Sequence, residues 1–428
     1  MIKNTNIKIS FYNIIKTIAD SIDLMSIEIS GHHKLVAYIA LRIGLELNLS
    51  ERQLRKLVFS SLIHDIGILY FDKNIDYLVR DRENEEHAYV GYALLEDYFP
   101  FDDYAEIIKN HHKDWFDLEN TEPNYISNII NLADILAYFI DKEKITNILK
   151  KDFIKNKINK YCDKKINDKI LSKFDILSKQ ESFWLDTANI KIRERVLDEY
   201  IRNYLDIYLN VDQVMEISEI ISHIIDFRNP FTATHSKGIA IISSNLAKEF
   251  SFSALDVKIM EIAGYFHDIG KMMIPLDIIN KKGKLTKKQW GLMKSHTYYS
   301  YHVLDNIKEI PKLKNWAAYH HETLDGRGYP FNIDNNDICL GARILAVSDI
   351  FTAITEDRPY RDGYKKDKVI KILKDNVKRN KIDGKVVDHL LANYHYFNEL
   401  RESQQKKAMH DYKNFKYKTI DEINEIYY

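Results

Sequence analysis

The sequence predicts an all-α chain made of two tandem helical-bundle domains joined by a helical linker. Three observations carry that expectation. Gly (14) and Pro (7) are sparse for a chain of 428 residues, so few points break a helix. Apolar residues recur at helical spacing, as in Ile14, Ile18 and Ile22, or in Leu54, Leu57, Val58 and Leu62, which gives each helix one face to bury. Third, the chain contains itself twice.

An offset of 203 positions carries Ile14, Ile18, Ile22 and Asp23 onto Ile217, Ile221, Ile225 and Asp226. The same offset carries His32 onto His235, and His64-Asp65 onto His267-Asp268. A length difference follows, after which His87 matches His296 and His111-His112 matches His320-His321, 24 positions on in each copy. Asp134, in Leu132-Ala-Asp-Ile-Leu, then matches Asp349, in Val347-Ser-Asp-Ile-Phe. Polar residues that recur together with the apolar ones point to two copies of one folded unit.

Taken in order, residues 1–190 form the first copy. Its Lys-rich stretch at 143–180 carries Ile154, Ile158, Ile166 and Ile170 four or eight apart, the pattern of an amphipathic helix with a solvated basic face rather than a nucleic-acid patch. Residues 191–212 read as a helical linker and 213–395 as the second copy. The tail, 396–428, contains Tyr412, Tyr417, Tyr427 and Tyr428 and carries no clear signal.

Composition narrows the function classes. Hydrophobic residues make up 45% and charged residues 29%, the balance of a globular protein. Lys+Arg (62) nearly cancels Asp+Glu (63), so no DNA, RNA or membrane partner is expected from global charge. The two cysteines, Cys162 and Cys339, form no Cys-x-x-Cys pattern, which excludes a disulfide framework and a thiolate zinc site and fits a reducing compartment. No run approaches the ~18 apolar residues of a membrane span, and Met1–Ser10 does not resemble a signal peptide. The expected location is the cytoplasm. The abundance of Lys, Asn, Ile and Tyr reads as a compositional habit.

The second copy carries the chemistry. His235, His267, Asp268, His296, His320, His321 and Asp349 are all imidazole or carboxylate donors for divalent metals. They are too many for one tetrahedral ion and suit two ions of higher coordination number, clamping a phosphodiester around a bridging hydroxide. Donors of this kind without thiolate favour iron or manganese, with zinc, nickel and cobalt left open. Lys271 stands one turn after Asp268, where an ammonium can meet a phosphoryl oxygen. Asp325-Gly-Arg-Gly-Tyr-Pro330 is a glycine-permitted loop, and Arg358 and Arg361 offer forked donors for phosphate or a guanine edge.

His267-Asp-Ile-Gly-Lys271, His320-His-Glu, Asp325-Gly-Arg-Gly-Tyr-Pro330 and Asp357-Arg-Pro-Tyr-Arg361 resemble the HD-GYP family of the HD phosphohydrolase superfamily, over most of 213–395. The resemblance implies an HD-type helical bundle that hydrolyses cyclic di-GMP, to the linear dinucleotide or to GMP, with a di-iron, di-manganese or sometimes trinuclear site. It places His235, His267, Asp268 and Asp349 around one ion, and Asp268, His296, His320 and His321 around the other. Asp268 and Lys271 become catalytic; Lys271, Gly328, Tyr329, Pro330, Arg358 and Arg361 become substrate contacts. The signature loop is also linked with partner contacts, so a signalling-protein partner or a homodimer is expected. Trinuclear members carry a Glu four residues before the first His; Phe231 stands there, which implies a dinuclear site. Thr323 follows His-His-Glu where Arg is common.

The first copy resembles a plain HD domain. It keeps His32, His64, Asp65, His87, His111, His112 and Asp134, so a second metal site is possible there, but Ile68 takes the lysine's place and Asp114-Trp115-Phe116 follows the His pair. Three readings stand: a second hydrolytic site, a regulatory metal or nucleotide site, and a structural or dimerisation domain. The tandem arrangement also resembles phosphodiesterases specific for 3′,3′-cyclic GMP-AMP, so cyclic di-GMP and 3′,3′-cyclic GMP-AMP are both candidate substrates. The alternatives for the chain as a whole are another nucleotide phosphohydrolase of the HD superfamily and a catalytically silent cyclic-dinucleotide sensor.

Overall fold

The structure is a computed structural model that describes residues 7–25, 30–71, 85–143, 151–162, 164–227, 234–281, 283–357 and 362–427. The fold is all-α; among the described residues, the antiparallel pairing of Ile9–Ser10 with Tyr208–Leu209 is the one piece of sheet. Two compact units form, one of residues 14–207 and the other of residues 1–13 together with 208–428.

The repeat in sequence is a repeat in structure. His32–Glu46 and His235–Glu249 are equivalent helices, as are Glu51–Ile63 and Ala254–Phe266, each at the same offset. Even the punctuation recurs. Ser50 accepts from the Gln53 backbone N–H and Ser253 from that of Asp256, so both helices begin on a serine cap that satisfies an otherwise orphaned donor. The preceding turn passes through a left-handed residue in each copy, Asn48 (φ 54°) and Ser251 (φ 57°).

In the first unit the core lies between His32–Glu46 and Glu122–Glu143, with Leu35, Ile39, Ile43, Ile129, Ile130 and Leu136 buried. Ile154, Ile158, Ile166 and Ile170 join this core. Ile154 and Ile158 do so from the helix Lys151–Tyr161, Ile170 from the helix Asp168–Leu177, and Ile166 from the turn between them, rather than all four from the single amphipathic helix expected. Lys164 adopts a left-handed conformation (φ 65°) and Asn167 caps the second helix by accepting from Lys169 N–H, so the chain turns between them. The segment read as a linker belongs to the first unit as far as residue 207: Leu197, Ile201 and Leu205 are buried, and Arg55 Nε donates to the Leu205 carbonyl at 2.6 Å.

In the second unit, His235–Glu249 packs against Ala254–Phe266 and Leu340–Thr355, burying Ile239, Ile242, Leu246, Ile259, Phe266, Ile344 and Phe351. The tail that carried no sequence signal continues the unit as the helix Tyr394–Tyr427, which packs on His235–Glu249 and buries Phe397, Arg401 and Gln405. No helix among the described residues is long and apolar enough to cross a membrane.

Candidate functional site

The His-Asp pairs sit where a helix ends. Glu51–Ile63 stops at His64 and Ala254–Phe266 stops at His267, and tight turns, Ile66–Tyr70 and Ile269–Met273, follow. His320-His321 likewise lies just beyond Lys312–Ala318. The tighter turn eclipses residues three apart, which brings the Lys271 ammonium directly onto Asp268 Oδ2.

One hydrogen-bond pattern then orients the imidazoles. Nδ1 donates to the backbone carbonyl three residues earlier in His267 (Gly264, 2.8 Å), His296 (Met293, 2.6 Å) and His320 (Ala317, 2.6 Å). The first copy repeats it in His64 (Ser61, 2.9 Å) and His111 (Ile108, 2.6 Å). Donation from Nδ1 fixes the tautomer and leaves Nε2 as a lone pair, the arrangement of a metal-ligating histidine. His235 is oriented from a different side: its Nδ1 meets Glu356 Oε2 at 3.1 Å, and Gln405 Nε2 donates to that same oxygen at 3.1 Å.

All seven ligand-type residues of the second copy converge. Asp268 Oδ1 lies 3.3 Å from His296 Nε2 and 4.0 Å from His320 Nε2, while Oδ2 lies 2.9 Å from His267 Nε2. Asp349 joins His235 (3.3 Å) to His321 (4.0 Å). The donors fall into two groups, His235-His267-Asp268 and His296-His320-His321. In the first copy, His32 faces Asp134 at 3.1 Å, and Asp65 Oδ1 faces His87 (3.3 Å) and His111 (3.7 Å). His87 Nε2 and His112 Nε2 stand 3.0 Å apart.

The donors fit divalent ions. His267 Nε2, His296 Nε2, His320 Nε2 and Asp268 Oδ1 are buried without a hydrogen-bond partner among the described residues, and each such group costs about 1–3 kcal/mol. Converging acceptors of that kind are stabilised by a cation. Burial lowers His64 and His296 to about 3 and pushes His320 well below the usual range, so these rings are neutral. Burial opposes ionisation of Asp268, but His267 and Lys271 hold its carboxyl well below the ordinary value.

Two further features were not among the expected site residues. Gly270 lies against the backbone of Lys287–Leu304: a Cβ there would sit 2.0 Å from the His296 carbonyl oxygen and 2.6 Å from Ser300 N. Ser300 Oγ accepts from Gly270 N and donates to the His267 carbonyl, both at 3.0 Å. Gly67 makes the same approach to the His87 carbonyl, 2.0 Å. The recurrence of His-Asp-Ile-Gly in both copies was the available signal. The second feature is the Glu356–Gln405 pair behind His235, assembled from distant segments.

In the signature loop, the Tyr329 ring lies 4.9 Å from that of His321, and Tyr329 N donates to the His321 carbonyl at 3.2 Å. Gly328 lies against Glu322, where a Cβ would come within 2.4 Å of its Cα. Pro330 follows in the same loop. Arg358, Arg361 and Phe231 fall outside the described residues.

Comparison with known proteins agrees with the duplicated architecture. Two family models, both described as HD domain, match residues 29–138 and 219–386. The chain is a tandem HD-domain protein. Its second domain carries Gly328-Tyr329-Pro330. The chain is 25% identical over 409 residues to 3′3′-cGAMP-specific phosphodiesterase 1 of Vibrio cholerae, covering 93% of this chain and 94% of that one. It is 38% identical over 135 residues to the cyclic di-GMP phosphodiesterase PA4108 of Pseudomonas aeruginosa, 31% of this chain and 33% of that one. A crystal structure of a cyclic GMP-AMP specific phosphodiesterase of V. cholerae has the same fold, with a TM-score of 0.63 at 21% identity, over 91% of this chain and 98% of that one.

Proposed function

We propose that this tandem HD protein is a metal-dependent phosphodiesterase that opens a cyclic dinucleotide in its C-terminal unit. The observation that carries the reading is Asp268, a buried carboxylate whose two oxygens face imidazoles of both donor groups, with the Lys271 ammonium on one of them. His235, His267, Asp268 and Asp349 would hold one divalent ion, and Asp268, His296, His320 and His321 the other. Donor type favours iron or manganese. When bound, such an ion pair supplies Lewis-acid polarisation of a phosphodiester and a water activated at neutral pH.

The chain's own residues do the rest. Lys271, at the partly exposed edge of the cluster, donates to a phosphoryl oxygen as negative charge develops there. Tyr329 and the half-exposed Trp290, with ring centroids 6.2 Å apart, offer faces on which a purine can stack. Gly328 and Pro330 shape the loop that presents Tyr329, and Arg358 and Arg361 remain proposed phosphate or base contacts.

The substrate proposed first is 3′,3′-cyclic GMP-AMP, because the V. cholerae relative that aligns across both HD copies acts on it by its name; cyclic di-GMP, the substrate named for relatives matched over shorter stretches, is the comparison. A cytoplasmic location belongs to the same reading. Turnover of both dinucleotides, followed by chromatography on wild type and Asp268→Ala, tests it. Loss of all turnover in the variant is expected. Metal-loaded wild type that cuts neither substrate sinks the proposal and leaves another phosphohydrolase or a sensor.

A further inference from the structure

We infer that the N-terminal unit holds a metal centre with one donor more than the C-terminal one, His33, a residue outside the seven positions matched between the copies. The position equivalent to His33 in the second copy is Ser236. His33 is fully buried. Its Nδ1 is 2.5 Å from Asp23 Oδ1, and its Nε2 is 3.6 Å from Asp65 Oδ2, with no hydrogen-bond partner among the described residues. His64 Nε2 lies 3.3 Å from the same oxygen. His33, His64 and Asp65 thereby form a donor group of their own.

The exchange between the copies is specific. In the C-terminal cluster, Asp268 Oδ2 faces one imidazole, His267, and the Lys271 ammonium. In the N-terminal cluster, Asp65 Oδ2 faces two imidazoles, His64 and His33, and the lysine's position is Ile68, wholly buried. Where one copy presents a cation to substrate, the other presents a further nitrogen donor. Asp23 completes a carboxylate–histidine pair of the kind that orients a ligating ring and raises its basicity. With six imidazoles and two carboxylates (His32, His33, His64, His87, His111, His112, Asp65, Asp134), the ligand class is a divalent transition ion such as Co²⁺, Mn²⁺ or Zn²⁺. The N-terminal centre is built to retain its ion. Its chemistry toward phosphate, without an ammonium on Asp65, differs from that of its neighbour.

A different role for His33 is that of a permanent imidazolium, a counter-charge standing in for the missing lysine between Asp23 and Asp65. The test separates the two. In the full chain carrying His267→Ala and Asp268→Ala, which disables the C-terminal group, Co²⁺ is titrated against a chelator while its visible absorption is recorded, and elemental analysis gives the stoichiometry. His33→Ser and His33→Lys are each expected to weaken Co²⁺ binding about 100-fold and to change the spectrum. Asp23→Asn, which keeps the shape of the site, is expected to weaken it about 10-fold. Far-ultraviolet circular dichroism shows that each variant is folded; if the His33 variants are not, Asp23→Asn decides. Unchanged affinity and spectrum in the folded variants, retention of binding by His33→Lys, or failure of the intact N-terminal cluster to take up Co²⁺ would each overturn the inference.

Discussion

Gly270→Ala tests how the fold positions the site. A Cβ at this position would lie 2.0 Å from the His296 carbonyl oxygen and 2.6 Å from Ser300 N. Real Cβ atoms essentially never approach closer than 3.0 Å, so Lys287–Leu304 must back away by roughly 1 Å. Both neighbours are backbone atoms in mid-helix, so no side-chain rotation relieves the clash. The expected cost is that of overpacking, about 1–3 kcal/mol, or a melting temperature lower by roughly 2–12 °C for a unit of this size. The site suffers more. His296 Nε2 stands 3.3 Å from Asp268 Oδ1, and metal–ligand distances tolerate only about 0.2 Å. A displacement of this size removes His296 from its group and costs turnover about 100-fold. Metal content, turnover and thermal unfolding are measured on the variant and on Gly291→Ala. Gly291 belongs to the same helix with open space around it, and alanine there stabilises by about 0.5–1 kcal/mol. A Gly270→Ala protein with wild-type metal content, turnover and melting would refute the argument that this close approach sets the ligand geometry.

Other outcomes follow from the same geometry. Lys271→Met is expected to lower kcat about 100- to 1,000-fold with metal content unchanged, and normal turnover would remove Lys271 from the reaction. Glu356→Gln weakens the hold on the His235 ring and should lower metal affinity about 10- to 100-fold, read by chelator competition; unchanged affinity would deny it that role. His64→Ala, in the first copy, should leave dinucleotide turnover largely intact, and a folded but silent variant would contradict the division of labour between the copies. On the pH axis, burial opposes ionisation of Glu219, but Lys237, 2.5 Å away, holds its carboxyl below the ordinary value. The stability this contributes is present above about pH 4.5 and is lost as pH falls through the folded value. Glu219→Gln should therefore flatten the acid limb of a stability–pH curve, and an unchanged limb would show that the pair contributes nothing.

Much of the site was legible because its ligands recur. His32, His64-Asp65, His87, His111-His112 and Asp134 repeat in order in the second copy, and packing alone has no reason to preserve polar residues together with apolar ones. The helices were legible from their spacing, since Ile154, Ile158 and Ile170 reach the core from them, but the turn through Lys164 and Ile166 and the Asn167 cap were not. His33 escaped because a lone histidine beside His32 has no counterpart in the second copy, and its meaning depends on Asp23 lying 2.5 Å away. Glu356 and Gln405 escaped for a related reason: neither carries a pattern of its own, and the folded chain brings both to the back of one imidazole. Gly270 was visible as a letter, yet its role arises from a neighbouring helix backbone.

The proposed activity, metal-dependent cleavage of a cyclic dinucleotide, resides in the C-terminal cluster around Asp268. Its most direct test strips the full chain of metal, restores Mn²⁺ or Fe²⁺ without oxygen, and follows 3′,3′-cyclic GMP-AMP and cyclic di-GMP by chromatography, with Asp268→Ala in parallel. Turnover that appears with metal in wild type and stays absent in Asp268→Ala is the predicted result. A metal-replete wild type that leaves both dinucleotides intact, or an Asp268→Ala protein that still cuts them, would contradict the account.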